Sequence, residues 1–349
     1  DETPRTVGLS AIEGMLTGAY SIFHIANINP RFLYYYYTSL DNVKALKPLY
    51  TGLRKTISTD TFLDTKMPVP PRSEQNQIVR FLDWQVSKIN KLIAAKKKQI
   101  ALLKEQKQLF IYKAVTKGLD NTVPMKDSGV KWIGYVPSWW QVSRIKFFCT
   151  MKSGDNLTAQ QIDDENEYPV YGGNGIRGYY SNYNCDGKYI LIGRQGALAG
   201  NIHLVEGKFW ATDHAVVTSV SNCINISYFY YLLVAMDLNQ YAFDTAAQPG
   251  LAVTKIKNLG VAIPDATVQQ QIVDYLDIKC KRTDKLIEYI NNEITLLHEL
   301  RTRLISDVVT GQIDVRSIEI PEYEYVEEES DEESDDIESA EEETEEQEE

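Results

Sequence analysis

The glycine-rich run at residues 173–178 is the first stretch whose residue types could do chemistry. Its letters, GNGIRG, satisfy the GxGxxG pattern of dinucleotide-binding loops. In such a loop the glycines let the backbone approach a pyrophosphate, which lies at the N-terminus of the following helix. Here the next letters are YYSNY, which are typical of turns and strands. We therefore predict a surface loop whose Arg177 contacts a phosphate or a base.

Two further patterns resemble catalytic motifs, but neither of them holds. Asp265, Asp277 and Lys279 resemble the carboxylates and lysine of metal-dependent nucleases, yet an internal repeat aligns Asp265 with a proline and Lys279 with a glutamine. The letters NPRF at 29–32 lack the second proline of the signature that holds a flipped adenine in amino-methyltransferases. No GxxxxGKS or GxxxxGKT phosphate loop occurs, and the four histidines show no HExxH spacing. These observations predict no enzymatic activity for this chain.

Polar and basic side chains collect instead in the turn-rich sequence between residues 168 and 265. Arginine and lysine suit guanine edges, asparagine and glutamine suit adenine, and all of them suit phosphates. For any single residue, ordinary surface polarity is the better explanation, so the prediction rests on the group. The residues that we predict to bind DNA are Arg177, Lys188, Arg194, Gln195, Asn201, Lys208, His214 and Gln248, together with Arg54 near the start of the chain.

A duplicated segment organises the elements that must hold these loops. The letters QNQIVRFLD at 75–83 recur as QQQIVDYLD at 269–277, an offset of 194 residues. The match continues without a gap for more than forty residues. A repeat of this length indicates a duplicated structural unit.

Both copies carry apolar residues at alternating spacings of four and three. From Leu82 and from Leu276 onward, eight of ten such positions are apolar in each copy, without proline or glycine. A period of about 3.5 residues sustained over four heptads is typical of a coiled coil. We predict long helices at 72–117 and 266–311 that pair antiparallel with each other. The alternative is that each helix packs on its own globular neighbour.

Charge is distributed unevenly along the chain. The net charge is −13, but residues 319–349 hold 19 acidic and no basic residues, which leaves 30 acidic against 36 basic residues elsewhere. A mildly basic body suits a nucleic-acid binder. Lys107 and Arg301 fall on the apolar stripes of the two helices at equivalent positions. Because an unpaired buried charge is costly, we predict that they meet acidic groups or lie at a wet end of the seam.

These patterns predict six segments. The four cysteines are scattered, which is typical of free thiols in a reducing cytosol, and no apolar run reaches the length of a membrane span. We therefore expect a soluble, cytoplasmic protein. The predicted segments are a partial globular domain at 1–71, a long helix at 72–117, a linker at 118–127, a complete globular domain at 128–265, a second long helix at 266–311 and a disordered acidic tail at 312–349.

Several motifs together carry a resemblance to a known family. They are SGVKWIGYVPSWW from residue 128, YPVYGGNGIRGYY from 168, YILIGRQGALAGNIH from 189, AAQPGL from 246 and the helix start QQQIVDYLD. In this combination they resemble the specificity subunit of type I restriction–modification systems. The resemblance covers roughly residues 10–316, and the acidic tail is not part of it.

The resemblance implies an α+β protein. It would hold two strand-rich target recognition domains, separated by two long antiparallel coiled-coil helices. Such a subunit is not an enzyme: it reads a bipartite site on double-stranded DNA and docks two methyltransferase subunits, which restriction and translocase subunits join. S-adenosylmethionine, ATP and Mg²⁺ would belong to those partners, so we expect no cofactor on this chain.

Residues 1–71 depart from the family pattern because they lack the SGVxWxG-type opening and the glycine-rich strands. Two alternative interpretations remain open. One is a coiled-coil scaffold whose globular ends bind protein, and the other is a DNA-processing enzyme of an unrecognised kind.

Overall fold

The computed structural model describes residues 7–10, 21–50, 57–194, 199–241 and 250–326. Within them the chain forms two compact units. The first holds the chain up to Ile100 together with the chain from Ile287 onward, and the second holds Ala101–Leu286. The described residues mix helices and a strand-rich sheet, so the predicted α+β class is confirmed.

Six α-helices lie in the described residues, and two of them are very long. They are α1 (Pro30–Asn42), α2 (Thr59–Leu63), α3 (Arg72–Lys117), α4 (Ile226–Ala235), α5 (Val253–Asn258) and α6 (Ala266–Val309). Every position of the predicted apolar stripes on α3 and α6 is buried or half-buried, whereas Leu92 and Leu102, which lie off the stripe, are exposed. The stripes are therefore the packed faces of the two helices.

Contacts within each unit show that α3 and α6 run antiparallel. In the first unit Arg301 donates to Asn90 at 3.1 Å, and Lys96 meets Glu293 at 2.8 Å, so residue numbers fall on one helix as they rise on the other. In the second unit Lys107 pairs with Asp284 at 2.6 Å. The predicted antiparallel pair is confirmed, and Lys107 meets an acidic group as predicted.

A shorter helix docks on the start of each long helix in the same way. Asn29 and Asn225 are the N-caps of α1 and α4, and their side chains accept hydrogen bonds from the first-turn amides. Their own N–H groups donate to Gln75 and Gln269 respectively, each at 2.8 Å. This arrangement gives the NPRF letters at 29–32 a structural role as the start of a capped helix.

The described residues contain ten strands, which are β1 (Met125–Asp127), β2 (Tyr135–Pro137), β3 (Gln141–Arg144), β4 (Cys149–Ser153), β5 (Tyr168–Gly172), β6 (Gly175–Tyr180), β7 (Cys185–Gly193), β8 (Ile202–Ala211), β9 (Ala215–Val220) and β10 (Gly260–Ile263). A six-stranded sheet forms the centre of the second unit, in the order β4-β9-β7-β8-β5-β6. Neighbouring strands of this sheet are antiparallel except β5 and β8, which are parallel. Two small two-stranded sheets, β1 with β2 and β3 with β10, accompany it.

The ribbon formed by β7 and β8 must curl. β8 ends at Ala211 near the first residue of β7, yet β9 begins at Ala215 opposite the last residue of β7. The short connection spans at most about 14 Å, whereas a straight β7 would measure about 26 Å. Gly187 and Gly207 pair across the ribbon with φ of +128° and +111°, values that favour glycine, and they allow the bend.

The sequence predicts a disordered tail from residue 312 onward, but the first part of this segment packs on the first unit. Residues 313–326 are described, and Val315 is buried in the core of the first unit, where Ile320 also packs. Apolar residues spaced among the acidic ones give this segment a face that can pack. We name residues 313–326 the C-terminal strap. The remaining part of the predicted tail, 327–349, lies outside the described residues.

Candidate nucleic-acid interface

Arg194 follows the last residue of β7, and its backbone is held on both sides. Its N–H donates to the carbonyl of His214 at 2.9 Å, and its own carbonyl accepts from the N–H of Leu251 at 2.8 Å. Its guanidinium Nη1 donates to Ser153 Oγ, which lies 3.3 Å away. The side chain is half-buried. A guanidinium that projects from a fixed backbone can be aimed at one base edge at a small cost in conformational entropy.

Two more of the predicted DNA-binding residues, Asn201 and His214, lie around the same strand end. The carbonyl of Asn201 accepts from the N–H of Gly193 at 2.8 Å, while its side-chain amide donates to Asn174 Oδ1 at 2.8 Å. His214 immediately precedes β9, which pairs with the end of β7. The structure therefore brings Arg194, Asn201 and His214 together, and we name these three residues the strand-end cluster.

The glycine-rich run at 173–178 forms the hairpin between β5 and β6. Gly173 and Asn174 make its two-residue turn, and the next residues continue as a strand, as predicted. No helix begins there, so the run cannot hold a pyrophosphate at a helix N-terminus. Arg177 on β6 is exposed, and its aliphatic stem crosses Gly172, where a Cβ would lie 2.5 Å from the arginine Cδ.

The two predicted lysines do not join the strand-end cluster. Lys208 is exposed, with Nζ 4.6 Å from the ring centroid of Tyr183, and its hydrogen bond with that phenol raises the pKa of Lys208. Lys188 stands opposite Glu206 on the neighbouring strand at 3.5 Å. Along β7 it lies about 17 Å before the strand end, at about 3.3 Å per residue.

Three predicted DNA-binding residues cannot be placed. Gln195, Gln248 and Arg54 lie outside the described residues. They stay predictions from the sequence alone.

Sequence reasoning missed two polar partners of the cluster, Asn174 and Ser153. The signal for Asn174 was available, because a glycine–asparagine pair between two strand-like runs indicates a tight hairpin turn. Ser153 gave no such signal, since its position at the end of β4 depends on the pairing of β4 with β9.

The carboxylates that resembled a nuclease site have structural roles. Asp265 Oδ1 accepts hydrogen bonds from the N–H groups of Thr267 and Val268 at 3.0 and 3.1 Å, so it caps α6. Asp277 accepts the hydroxyl of Tyr231 at 2.7 Å. In the part of the chain that the structure describes, no three His, Cys, Asp or Glu side chains come close enough to hold a metal ion. No described helix is long and apolar enough to cross a membrane.

Gly154 lets two turns at the strand-end cluster approach closely. A Cβ at this position would lie 2.2 Å from the carbonyl oxygen of Ala211 and 2.3 Å from that of Thr212, and backbone atoms cannot move aside easily. We expect Gly154→Ala to lower the free energy of unfolding by about 2–3 kcal/mol, as overpacking does, measured by urea denaturation. Gly250→Ala is the matched control, because among the described residues beyond its chain neighbours no atom lies within 4 Å of its added Cβ. Equal stability of the two variants would contradict the close approach.

His203 on β8 predicts a pH dependence. Its Nε2 is buried and has no hydrogen-bond partner among the described residues, and burial lowers the pKa of His203 from its ordinary 6.5. The unfolded chain therefore binds a proton more readily than the folded chain, so stability is complete above about pH 6.5 and falls as the pH drops below it. When the pH is lowered from about 7.5 to about 5.5, we expect the midpoint of urea unfolding to fall less in His203→Gln than in the unsubstituted chain. An equal fall in both would contradict this account.

The described residues thus combine a curled sheet, which carries arginine and asparagine side chains at one strand end, with two long paired helices. Comparison with known proteins identifies the family. The sequence model for the type I restriction modification DNA specificity domain matches residues 13–102 and 137–296. The chain belongs to this family.

Individual relatives agree with the family match. The type I restriction enzyme EcoprrI specificity subunit of Escherichia coli is 47% identical over 131 residues, which are 36% of this chain and 32% of that protein. The MjaVIII specificity subunit of Methanocaldococcus jannaschii is 23% identical over 286 residues, 74% of this chain and 64% of that protein. The match thus spans about a third of the length of the E. coli relative.

A solved structure shows the same fold. It comes from work on complex assembly and conformational transition of the type I R-M system, and it matches with a TM-score of 0.62 over 82% of this chain and 72% of its own. The two sequences are 14% identical, so the likeness concerns the fold alone.

Proposed function

We propose that this chain is the non-catalytic, sequence-specific DNA-recognition subunit of a type I restriction–modification complex. The observation that carries the proposal is the family match, which extends over most of α3, most of the second unit and the first part of α6. The residues of the strand-end cluster would read the bases of the DNA. Its side chains carry the donors and acceptors that distinguish base pairs in the major groove.

The described residues divide into two roles. Arg194 would donate two hydrogen bonds to a guanine, and Asn201 would pair with an adenine, because these geometries match those bases. Arg177 and Lys208 are exposed cations that suit phosphates, which fix the register of the protein on the duplex. Lys188 would first have to leave Glu206, so its contribution to phosphate binding should be small.

The repeat supports the bipartite character of the site. A duplicated helix and docking arrangement would present one recognition domain for each half of the DNA site. Residues 128–265 would supply most of the base discrimination. The described residues before α3 form helices and turns without a strand, so the domain at 1–71 would contribute little reading of bases.

The long helices are the expected docking site for two methyltransferase subunits, which restriction and translocase subunits would join. Large exposed apolar side chains on helices indicate a surface for protein partners. On α3 and α6 these include Leu92, Leu102, Leu109, Ile278, Tyr289 and Leu296. S-adenosylmethionine, ATP and Mg²⁺ would bind the partner subunits, and the assembled complex would act in the cytoplasm.

Exposed apolar side chains in the globular part of the second unit, among them Tyr135, Trp139 and Phe147, favour a second candidate, a coiled-coil scaffold whose globular ends bind protein. A selection experiment separates the two. The full chain, co-expressed with the methyltransferase subunit of a type I system, is offered a library of random duplexes, and the retained DNA is sequenced. A single bipartite sequence should emerge from the assembled complex. Retained DNA without any common sequence would reject the specificity role and leave the scaffold.

A further inference from the structure

Two segments of opposite charge lie in this chain. Residues 327–349 hold 16 acidic residues among 23 and no basic residue, while α3 holds nine lysines between residues 84 and 117 against the single acid Glu105. Nothing in the DNA-reading function of the second unit uses either segment. From here on, the name acidic tail is kept for residues 327–349, the part of the predicted tail that follows the C-terminal strap.

The C-terminal strap leads the chain along α3. Gln77 Nε2 donates to the carbonyl of Val315 at 3.0 Å, near the beginning of α3. Further along the helix, the N–H of Val326 donates to Ser87 Oγ at 3.1 Å, and the carbonyl of Val326 accepts from Asn90 Nδ2 at 3.1 Å. From Gln77 to Asn90 the helix rises about 20 Å, at about 1.5 Å per residue. The strap therefore follows α3 towards its lysine-rich part.

The end of the strap already makes a contact between an acidic group and a lysine of α3. Glu324 Oε2 lies 3.0 Å from Lys91 Nζ, and the guanidinium of Arg31 covers the ring of Tyr325 at 4.2 Å. Lys98 is exposed and lies one heptad beyond Lys91, on the same side of the helix. The C-terminal strap thus ends beside a basic face of α3.

We propose that the acidic tail binds along the lysine face of α3, starting at Lys91 and Lys98, and masks a surface that would otherwise bind polyanions. Reach does not limit this contact, because Lys98 lies about 10 Å beyond Lys91 along the helix, whereas an extended tail of 23 residues spans roughly 75 Å. Since the two partners belong to one chain, their effective concentration is in the millimolar range. Attraction of this kind is screened by salt.

Zero-length carbodiimide crosslinking of the full chain tests the contact, because it joins a lysine to a carboxylate only where they touch. Peptide mapping should find tail carboxylates on Lys91 and Lys98 at least about fivefold more often than on the exposed Lys131 and Lys146 of the second unit. At about 1 M salt, where the screening length is about 3 Å, this preference should disappear. Crosslinks spread evenly over all four lysines would overturn the proposal.

Lysine substitutions and a mixture with isotope-labelled chain complete the test. The double variant Lys91→Gln and Lys98→Gln should lose the tail crosslinks, whereas Lys131→Gln with Lys146→Gln should keep them. All four lysines are exposed or pair only at the surface, so both variants should fold. A mixture with isotope-labelled chain shows whether crosslinks join one molecule or two. Crosslinks mainly between molecules would contradict an intramolecular contact.

The masking part has its own readout, which needs no methyltransferase. A chain that ends at Val326 should bind a random duplex at low salt about tenfold more tightly than the full chain. Combining this truncation with Lys91→Gln and Lys98→Gln should remove most of the gain. Unchanged affinity after truncation would show that the tail masks no polyanion surface, whatever sequence the second unit reads.

Discussion

Replacing Asp83 by alanine is expected to lower the free energy of unfolding of the first unit by about 3 kcal/mol. This carboxylate on α3 accepts the hydroxyl of Tyr35 at 2.7 Å and Nε of Arg31 at 2.8 Å, and it is 8% exposed. Without it the buried hydroxyl of Tyr35 and the half-buried guanidinium of Arg31 lose their partner. Leaving these buried polar groups unpaired costs more free energy than the hydrogen bond itself contributes to stability.

The repeat supplies the matched control. Asp277 occupies the equivalent position on α6 and accepts the hydroxyl of Tyr231 at 2.7 Å, but the carboxylate itself is exposed. Asp277→Ala should therefore cost about 1 kcal/mol, because water can replace the missing partner. Urea unfolding followed by circular dichroism measures both losses. Adding Tyr35→Phe to Asp83→Ala should recover part of the stability, since it removes the stranded hydroxyl. Equal losses for the two aspartates would contradict this account.

Replacing Arg194 by alanine is expected to weaken binding of the assembled complex to its cognate DNA by about 1–3 kcal/mol and binding to random duplex much less. The reason is that a bidentate contact to a base edge exists only on the correct sequence. A phosphate contact exists on every sequence, so its loss weakens all binding evenly. Fluorescence anisotropy with the selected site and with a scrambled duplex measures the two affinities.

Lys208 and Arg54 provide the contrast. Lys208 is exposed beside Tyr183, and Lys208→Ala should lower both affinities about equally and reduce the salt dependence of binding. We expect the same even loss for Arg54→Ala, in the incomplete first domain. If Arg194→Ala also lowers both affinities equally, then Arg194 is a phosphate clamp or a structural arginine and not a base reader.

The helical framework could be predicted from the sequence because its signal is periodic and duplicated. The spacing from Leu82 and from Leu276 defines the packed stripe without any knowledge of the partner helix. The same repeat weighed against a nuclease site, and the contact of Asp277 with Tyr231 agrees with that interpretation. The spacing of apolar residues along one helix is a local property, so the buried face can be predicted from the sequence alone.

The strand-end cluster and the strap could not be predicted in the same way. Arg194 meets Ser153 and His214 because β9 pairs with both β7 and β4, and this pairing joins strands that lie far apart in the sequence. The packing of the C-terminal strap could not be predicted from the average composition of the acidic segment. Its buried Val315 and its tyrosines stand among acidic residues, so the composition of the whole segment predicted disorder although one face can pack.

Mapping of methylated bases shows directly whether this chain selects the DNA sequence that is methylated. Cells that carry the methyltransferase subunit of the system are compared with and without this chain, by sequencing that detects methylated bases on single DNA molecules. We expect methylation at one bipartite sequence only when the chain is present. In Arg194→Ala, we expect the preference for the half-site read by the second unit to be lost. Methylation of the same sequences without the chain, or methylation without sequence preference in its presence, would contradict the assignment of DNA recognition to this protein.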